Sequence, residues 1–142
     1  MAAVQCYLNF SGNCEEVFNF YKSVFGGEFQ YLGRFSEMPA ETPMPEEEGR
    51  KIMHVSLPIG NGTTLMGSDR PASMGAVTEG NNFAVSISTD SEEEADRLFN
   101  GLSAGGQVTM PLQKTFWGAY FGMFTDKFGI QWMVNYDYNQ QQ

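Results

Sequence analysis

Apolar and polar residues alternate from Val4 to Phe10, with Val4, Cys6, Leu8 and Phe10 on one side and Gln5, Tyr7 and Asn9 on the other. That period of two predicts a strand with one face in a core. Ser11-Gly12-Asn13 then reads as a turn. Glu15 and Glu16 suit the first turn of a helix that carries Val17, Phe20, Tyr21, Val24 and Phe25 at helical spacing and stops at Gly26-Gly27. Further strands are predicted over 28–35, 51–59 and 63–68, the last two joined by Gly60-Asn61-Gly62, a hairpin signal. The stretch 38–49 holds Pro39, Pro43, Pro45 and Glu46-Glu47-Glu48 and reads as a loop, either a lid or a solvated connection.

After a Gly-rich joint over 71–80 the order repeats. Asn82 to Ser88 alternates Phe83, Val85 and Ile87 against Asn82, Ala84, Ser86 and Ser88. Thr89-Asp90-Ser91 then caps an acid-led helix over 92–103 that ends at Gly105-Gly106. Strands are predicted over 107–113, 118–125 and 130–136, with Asp126-Lys127-Phe128-Gly129 as the last turn and a frayed polar tail after Asp137. A slide of about 78 positions lays Glu93-Glu94 on Glu15-Glu16 and Leu98-Phe99 on Phe20-Tyr21, so the chain reads as an internal repeat. The expected fold class is α+β: two βαβββ modules, about 1–71 and about 81–138, in one domain spanning 1–142, with curled mixed sheets enclosing a concave cup.

Composition narrows the partners. Apolar residues are 42% of the 142, with 12 Phe, enough for a core without disulfides. Eight Lys and Arg face 17 Asp and Glu, a net charge of −9, which repels phosphate backbones and anionic lipid and would speed a cationic ligand. Nucleic acid and membrane are therefore not expected partners. Residues 1–10 show no basic region leading into a long apolar run, so a cytoplasmic protein is expected. Cys6 and Cys14 stand without a CxxC pair and sit where small apolar residues would serve.

Several phrases together resemble one family. They are Tyr7-Leu8-Asn9-Phe10 followed by Gly12-Asn13-Cys14-Glu15-Glu16, Phe20-Tyr21, Phe25-Gly26-Gly27, Ile52-Met53-His54, Leu65-Met66-Gly67-Ser68-Asp69 and Asp126-Lys127-Phe128-Gly129-Ile130-Gln131-Trp132. They are similar to the vicinal-oxygen-chelate superfamily, the glyoxalase, bleomycin-resistance and extradiol-dioxygenase group, and within it to the PhnB-like branch. The resemblance implies paired βαβββ modules and a homodimer. It also implies four cation ligands on the first and last strands of each module, which strand alternation carries to Gln5, Met66, Asn82 and Met133. Cys6 competes with Gln5 and Ser68 with Met66 if a strand shifts. Thioethers and neutral amides are poor donors for the divalent cations of such enzymes, so no metal and no cofactor is expected. The branch is also often described as resembling a demethylubiquinone methyltransferase, yet the chain has no glycine-rich strand-to-helix loop of the kind that cradles a nucleotide-like cofactor.

His54 is the single histidine; alternation sets Met53, Val55 and Leu57 on the apolar face and turns His54 and Ser56 into the cup. An imidazole there is the candidate general base or ligand donor, or a strand histidine satisfied by a neighbour. Arg34 and Asp69 are read as rim charges or as surface ion pairs. Trp117 in its loop either caps a ligand or packs across a dimer seam, while Trp132 alternates with Val134 into the core. The resulting expectation is metal-independent binding of a small organic guest, cationic or amphipathic, by Gln5, Tyr7, His54, Ser56, Met66, Ser68, Asn82, Trp117 and Met133. The alternative is a superfamily enzyme, either a metal-assisted lyase or dioxygenase or a metal-free isomerase or transferase using His54.

Overall fold

The computed structural model describes residues 2–38, 44–60 and 62–139. Backbone contacts divide the chain into two units, Met1–Thr78 and Glu79–Gln142. The first contains β1 (Cys6–Phe10), α1 (Cys14–Phe25), β2 (Tyr31–Arg34), α2 (Glu46–Gly49), β3 (Ile52–Gly60) and β4 (Thr63–Asp69). The second contains β5 (Val85–Ser88), α3 (Glu92–Ser103), β6 (Gln107–Lys114), β7 (Ala119–Thr125) and β8 (Gln131–Asp137). Their sheets have the same order, β1-β4-β3-β2 and β5-β8-β7-β6. In each, the first strand pairs in parallel with the last and the other pairs are antiparallel, so both sheets are mixed. The repeat and the α+β class read from the sequence are thus present in the structure.

Each helix buries one stripe on one face of its sheet. On α1 the buried residues are Cys14, Val17, Phe18 and Tyr21, and on α3 they are Ala95, Leu98, Phe99 and Leu102, both sets at three-to-four spacing. The sequence reading placed Phe20, Val24 and Phe25 in the first stripe; they are only half-buried, and Phe18 takes the central place. Phe18 can do so because Gly67 lies beneath it: a Cβ there would stand 2.6 Å from the ring and 2.8 Å from the Leu8 carbonyl oxygen. Gly122 meets Phe99 in the same way, at 2.7 Å. In each module a strand glycine lets a helix aromatic press onto the sheet.

A buried aspartate locks each module. Asp69, at the end of β4, is 2% exposed. Its Oδ1 accepts from the backbone N–H groups of Gly12 and Cys14, and its Oδ2 from that of Ile52, all at 2.9 Å. One carboxylate thereby ties together the end of β4, the start of β3 and the first residue of α1, whose N-cap Asn13 makes no side-chain cap bond. Asp126 does comparable work in the second module: Oδ1 accepts from Phe128 and Ile130, and Oδ2 from the indole of Trp132. Trp132 is fully buried and stacked on Phe124, the core position expected of it. α3 is capped conventionally, Ser91 Oγ accepting from Glu94 N–H at 3.0 Å.

Other expectations need correction. Val4 and Gln5 precede β1, and Val4 is 98% exposed. Asn82 and Phe83 precede β5 and are exposed. β2 begins at Tyr31, not Glu28, and runs into a 3-10 turn over Phe35–Glu37. The expected loop contains a helical turn, α2, because three consecutive glutamates in its first turn favour one; residues 39–43 lie outside the described residues. The hairpin joining β3 and β4 is present, its Asn61 also outside the described residues. After Asp137 the chain is held at Tyr138, whose N–H donates to the Gly118 carbonyl and whose hydroxyl donates to Glu92.

Replacing Asp69 by Ala strands three buried or half-buried N–H donors at once. Urea unfolding is expected to show a loss on the order of 3 kcal/mol, against about 1 kcal/mol for Ser91→Ala.

Candidate functional site

The helices cover one face of each sheet, and the candidate site residues gather on the other. In the first module the pairings place Tyr7, Met66, Ser56 and Tyr31 side by side across four strands. The next row holds Asn9 and Ser68, which are partners, and His54 beside Gly33. None of these side chains carries a formal carboxylate, ammonium or guanidinium. Tyr7 and Tyr31 are 44% and 47% exposed, His54 is half-buried and Ser56 is buried.

His54 is gripped from both sides. The Tyr7 hydroxyl lies 3.2 Å from His54 Nδ1, and the imidazole tautomer decides which of the two donates. The two rings are stacked, with centroids 5.6 Å apart and planes at 29°. On the other flank Tyr31 stands 5.8 Å away, tilted by 38°. The expected alternation around His54 holds for Val55 and Leu57, which are fully buried, but not for Met53. Gly33 pairs with His54 while Arg34 pairs with Ile52, so Met53 is the extra residue of a bulge and Ile52 takes the core position.

In the second module Met133 lies between Ser86 and Met123, and Met123 in turn faces Met110. Three half-buried thioethers thus form a row on the face that α3 does not cover. The adjacent row is Ser88, Asn135, Phe121 and Gln113. Trp117, 53% exposed in the turn between β6 and β7, packs edge-on against Phe121 at 6.1 Å and against the fully exposed Phe116 at 5.0 Å.

The four positions that the resemblance assigns to a cation do not fit one. Gln5 and Asn82 stand outside their strands and are exposed, and Met66 and Met133 offer neutral thioethers where a hard or borderline cation needs carboxylate or imidazole. Of the two competitors, Ser68 faces the same side as Met66 and adds a neutral hydroxyl, while Cys6 falls on the opposite side of β1 from Tyr7. Among the described residues no three His, Cys, Asp or Glu side chains come together as a metal set.

The rim charges are structural. Asp69 is buried in the knot above, so it recognises nothing at the surface. Arg34 forms a two-pronged pair with Glu15 at 2.8 and 3.0 Å and also donates to the Arg50 carbonyl. The hydrogen bond from Arg34 holds the Glu15 carboxyl below its ordinary range. These residues line a groove of about 800 Å³ with Asn13, Glu47, Arg50 and Lys51. Arg50 pairs with Glu46 and Lys51 with Glu48, so each cation of that groove already has a carboxylate.

Tyr31, Gly33, Phe121 and the two methionines beside Met133, Met123 and Met110, were not anticipated. A tyrosine two positions before a strand glycine was the available signal for the first pair, since glycine in a strand marks a close approach.

Residues 6–134 match the sequence model of the Glyoxalase/Bleomycin resistance protein/Dioxygenase superfamily. The chain belongs to that superfamily. It is 35% identical over 137 residues to Protein YjdN of Escherichia coli strain K12, covering 91% of each chain. Its fold superimposes on protein PA1353 from Pseudomonas aeruginosa with a TM-score of 0.81 and 41% identity, covering 96% of this chain and 98% of that one. It also matches the Bacillus cereus PhnB protein, described as a putative 3-demethylubiquinone-9 3-methyltransferase, with a TM-score of 0.73 and 27% identity over 95% and 99% of the two chains. No helix among the described residues is long and apolar enough to cross a membrane.

The thiols give a test of this packing. Burial pushes the fully buried Cys14 thiol far up, with the Asp69 and then the Glu15 carboxylates adding to it, and burial also raises Cys6. A raised pKa means that the native state keeps a proton which the unfolded chain loses above about pH 8.5. Stability is therefore whole below that pH and falls as pH rises above it; Cys14→Ala is expected to flatten the slope measured by urea unfolding. In native protein iodoacetamide should label Cys6 before Cys14.

Proposed function

We propose that this chain binds a small organic molecule on the sheet face bearing Tyr7, His54, Ser56, Met66 and Ser68, without a divalent cation as intermediary. The observation that carries the reading is the composition of that face: half-exposed rings, hydroxyls and a thioether, with no charged side chain in its two rows. Such a surface gains by covering apolar area and by placing a few hydrogen bonds, which is how small-molecule sites achieve orientation. The Met133 face with Trp117 in the second module offers the same chemistry, and methionine adapts to irregular shapes. Gln5 and Asn82, outside their strands, supply amides at most. We propose further that the protein works in the cytoplasm, and that it is a homodimer, the state that the family resemblance implies.

The Bacillus cereus relative's description as a methyltransferase does not carry over readily. The turns that lead into α1 and α3, the two twelve-residue helices, are Ser11-Gly12-Asn13 and Thr89-Asp90-Ser91, neither of them glycine-rich. A catalytic second reading has one specific support, the Tyr7 hydroxyl against His54 Nδ1, since a hydroxyl and an imidazole in hydrogen-bond reach can pass a proton to a bound substrate. In that case His54 is the acid–base residue of a metal-free isomerase or transferase.

A thermal-shift screen of metabolite-like compounds, with and without EDTA and added divalent metals, tests the proposal. A ligand at about 100 times its Kd stabilises the native state by about 2.7 kcal/mol. Hits are expected to survive EDTA and to weaken in His54→Ala. Stoichiometric Mn, Fe, Ni or Zn in the purified protein, with EDTA abolishing every hit, would overturn it.

A further inference from the structure

The face proposed above for a small molecule has a feature that narrows the molecule's class, and the following rests on that proposal. The three rings do not stand up from the sheet as separate posts. Tyr31 belongs to the row of Ser56, yet its ring reaches across to the row of His54 and lies over Gly33: a Cβ at Gly33 would fall 2.5 Å from its hydroxyl oxygen and 2.9 Å from two ring carbons. From the opposite edge Tyr7 reaches across the same two rows to bring its hydroxyl to His54. The result is a continuous shelf, Tyr7 to His54 to Tyr31, with successive centroids 5.6 and 5.8 Å apart and modest tilts of 29° and 38°. Two phenol rings nearly half exposed offer π-surface to solvent.

We propose that this shelf stacks a planar aromatic cation, and that Gly33 is the position that sets it, by leaving Tyr31 room to lie down. Charge complementarity selects the cation. The faces of phenol rings are the negative ends of their quadrupoles and attract positive charge. The chain carries 17 acidic against 8 basic residues, so its field favours a cation and repels an anion. No Lys or Arg stands in either row to recruit an anion, and no Asp or Glu stands there to bind a compact, strongly hydrated cation in preference to a flat delocalised one.

Three dyes on one ring skeleton separate shape from charge: proflavine, cationic at mildly alkaline pH, acridine, neutral there, and acridine-9-carboxylate, anionic. Fluorescence titration of the full chain is expected to show proflavine bound about tenfold tighter than acridine, and the carboxylate weakest. The preference should shrink as salt is raised. Tyr7→Leu and Tyr31→Leu are each expected to weaken proflavine about tenfold. Gly33→Ala should do the same by tipping the Tyr31 ring; should that variant not fold, Tyr31→Leu carries the test, because Tyr31 is exposed and on an edge strand. Acridine bound as tightly as proflavine through the same tyrosines would overturn the choice of a cation while leaving the small-molecule reading in place. Proflavine binding unchanged in both tyrosine variants would overturn the shelf. If no dye binds and the tyrosine variants instead change the oligomeric state by sedimentation, a second copy of the chain occupies the shelf and the proposal fails. If no dye binds and the metabolite screen also yields nothing that responds to His54→Ala, the reading beneath it fails too.

Discussion

The structure depends on the way one twelve-residue helix is held down on one face of a four-stranded sheet. In the first module that hold combines apolar burial with a single anion. Val17, Phe18 and Tyr21 supply the buried area, and Asp69 supplies an acceptor for three N–H groups that burial would otherwise leave unpaired. Because the carboxylate comes from the strand that pairs with both β1 and β3, it fixes the helix start relative to the centre of the sheet. In the second module a serine cap holds the helix start, and Asp126 ties the turn between β7 and β8 to the indole of Trp132. Where the first buries Phe18, the second places Asp96, which accepts from the Tyr120 hydroxyl at 2.7 Å and pushes that phenol up to about 12.

Once one face is committed to the helix, strand alternation delivers every second side chain to the other. The functional argument therefore turns on which residue types occupy those alternate positions. Superfamily membership alone does not settle chemistry, since one fold hosts many activities. Here the alternate positions hold rings, hydroxyls, amides and thioethers, a set that suits an organic guest better than a divalent cation. Arg34, Arg50 and Lys51 lie off that face, in the groove beside α1, each paired with a carboxylate.

Much of this was legible in the sequence, for identifiable reasons. Helix positions showed through acidic first turns and three-to-four spacing, and the hairpins through glycine; the internal repeat then doubled the signal for strand order. Strand starts were misplaced at Val4 and Asn82 because alternation continues past the point where a partner strand exists: the ladders begin at Cys6 opposite Leu65 and at Val85 opposite Trp132. The bulge at Met53 was invisible because one inserted residue leaves the local pattern apolar. Asp69 looked like a rim charge because its three partners, Gly12, Cys14 and Ile52, are distant in sequence and donate from the backbone, which composition does not reveal. Tyr31 was missed for a similar reason, since its role comes from lying across to another strand's histidine.

The single histidine allows the central claim to be examined without ambiguity, because a proton NMR spectrum contains one imidazole Cε1–H signal of this chain. Titrating a thermal-shift hit into the protein should move that signal in step with binding, and one equivalent of paramagnetic Mn²⁺ added to the free protein should leave its linewidth unchanged. A hit that binds while the His54 signal stays still, or a signal broadened away by the single equivalent of manganese, would contradict a metal-free site on the Tyr7–His54 face.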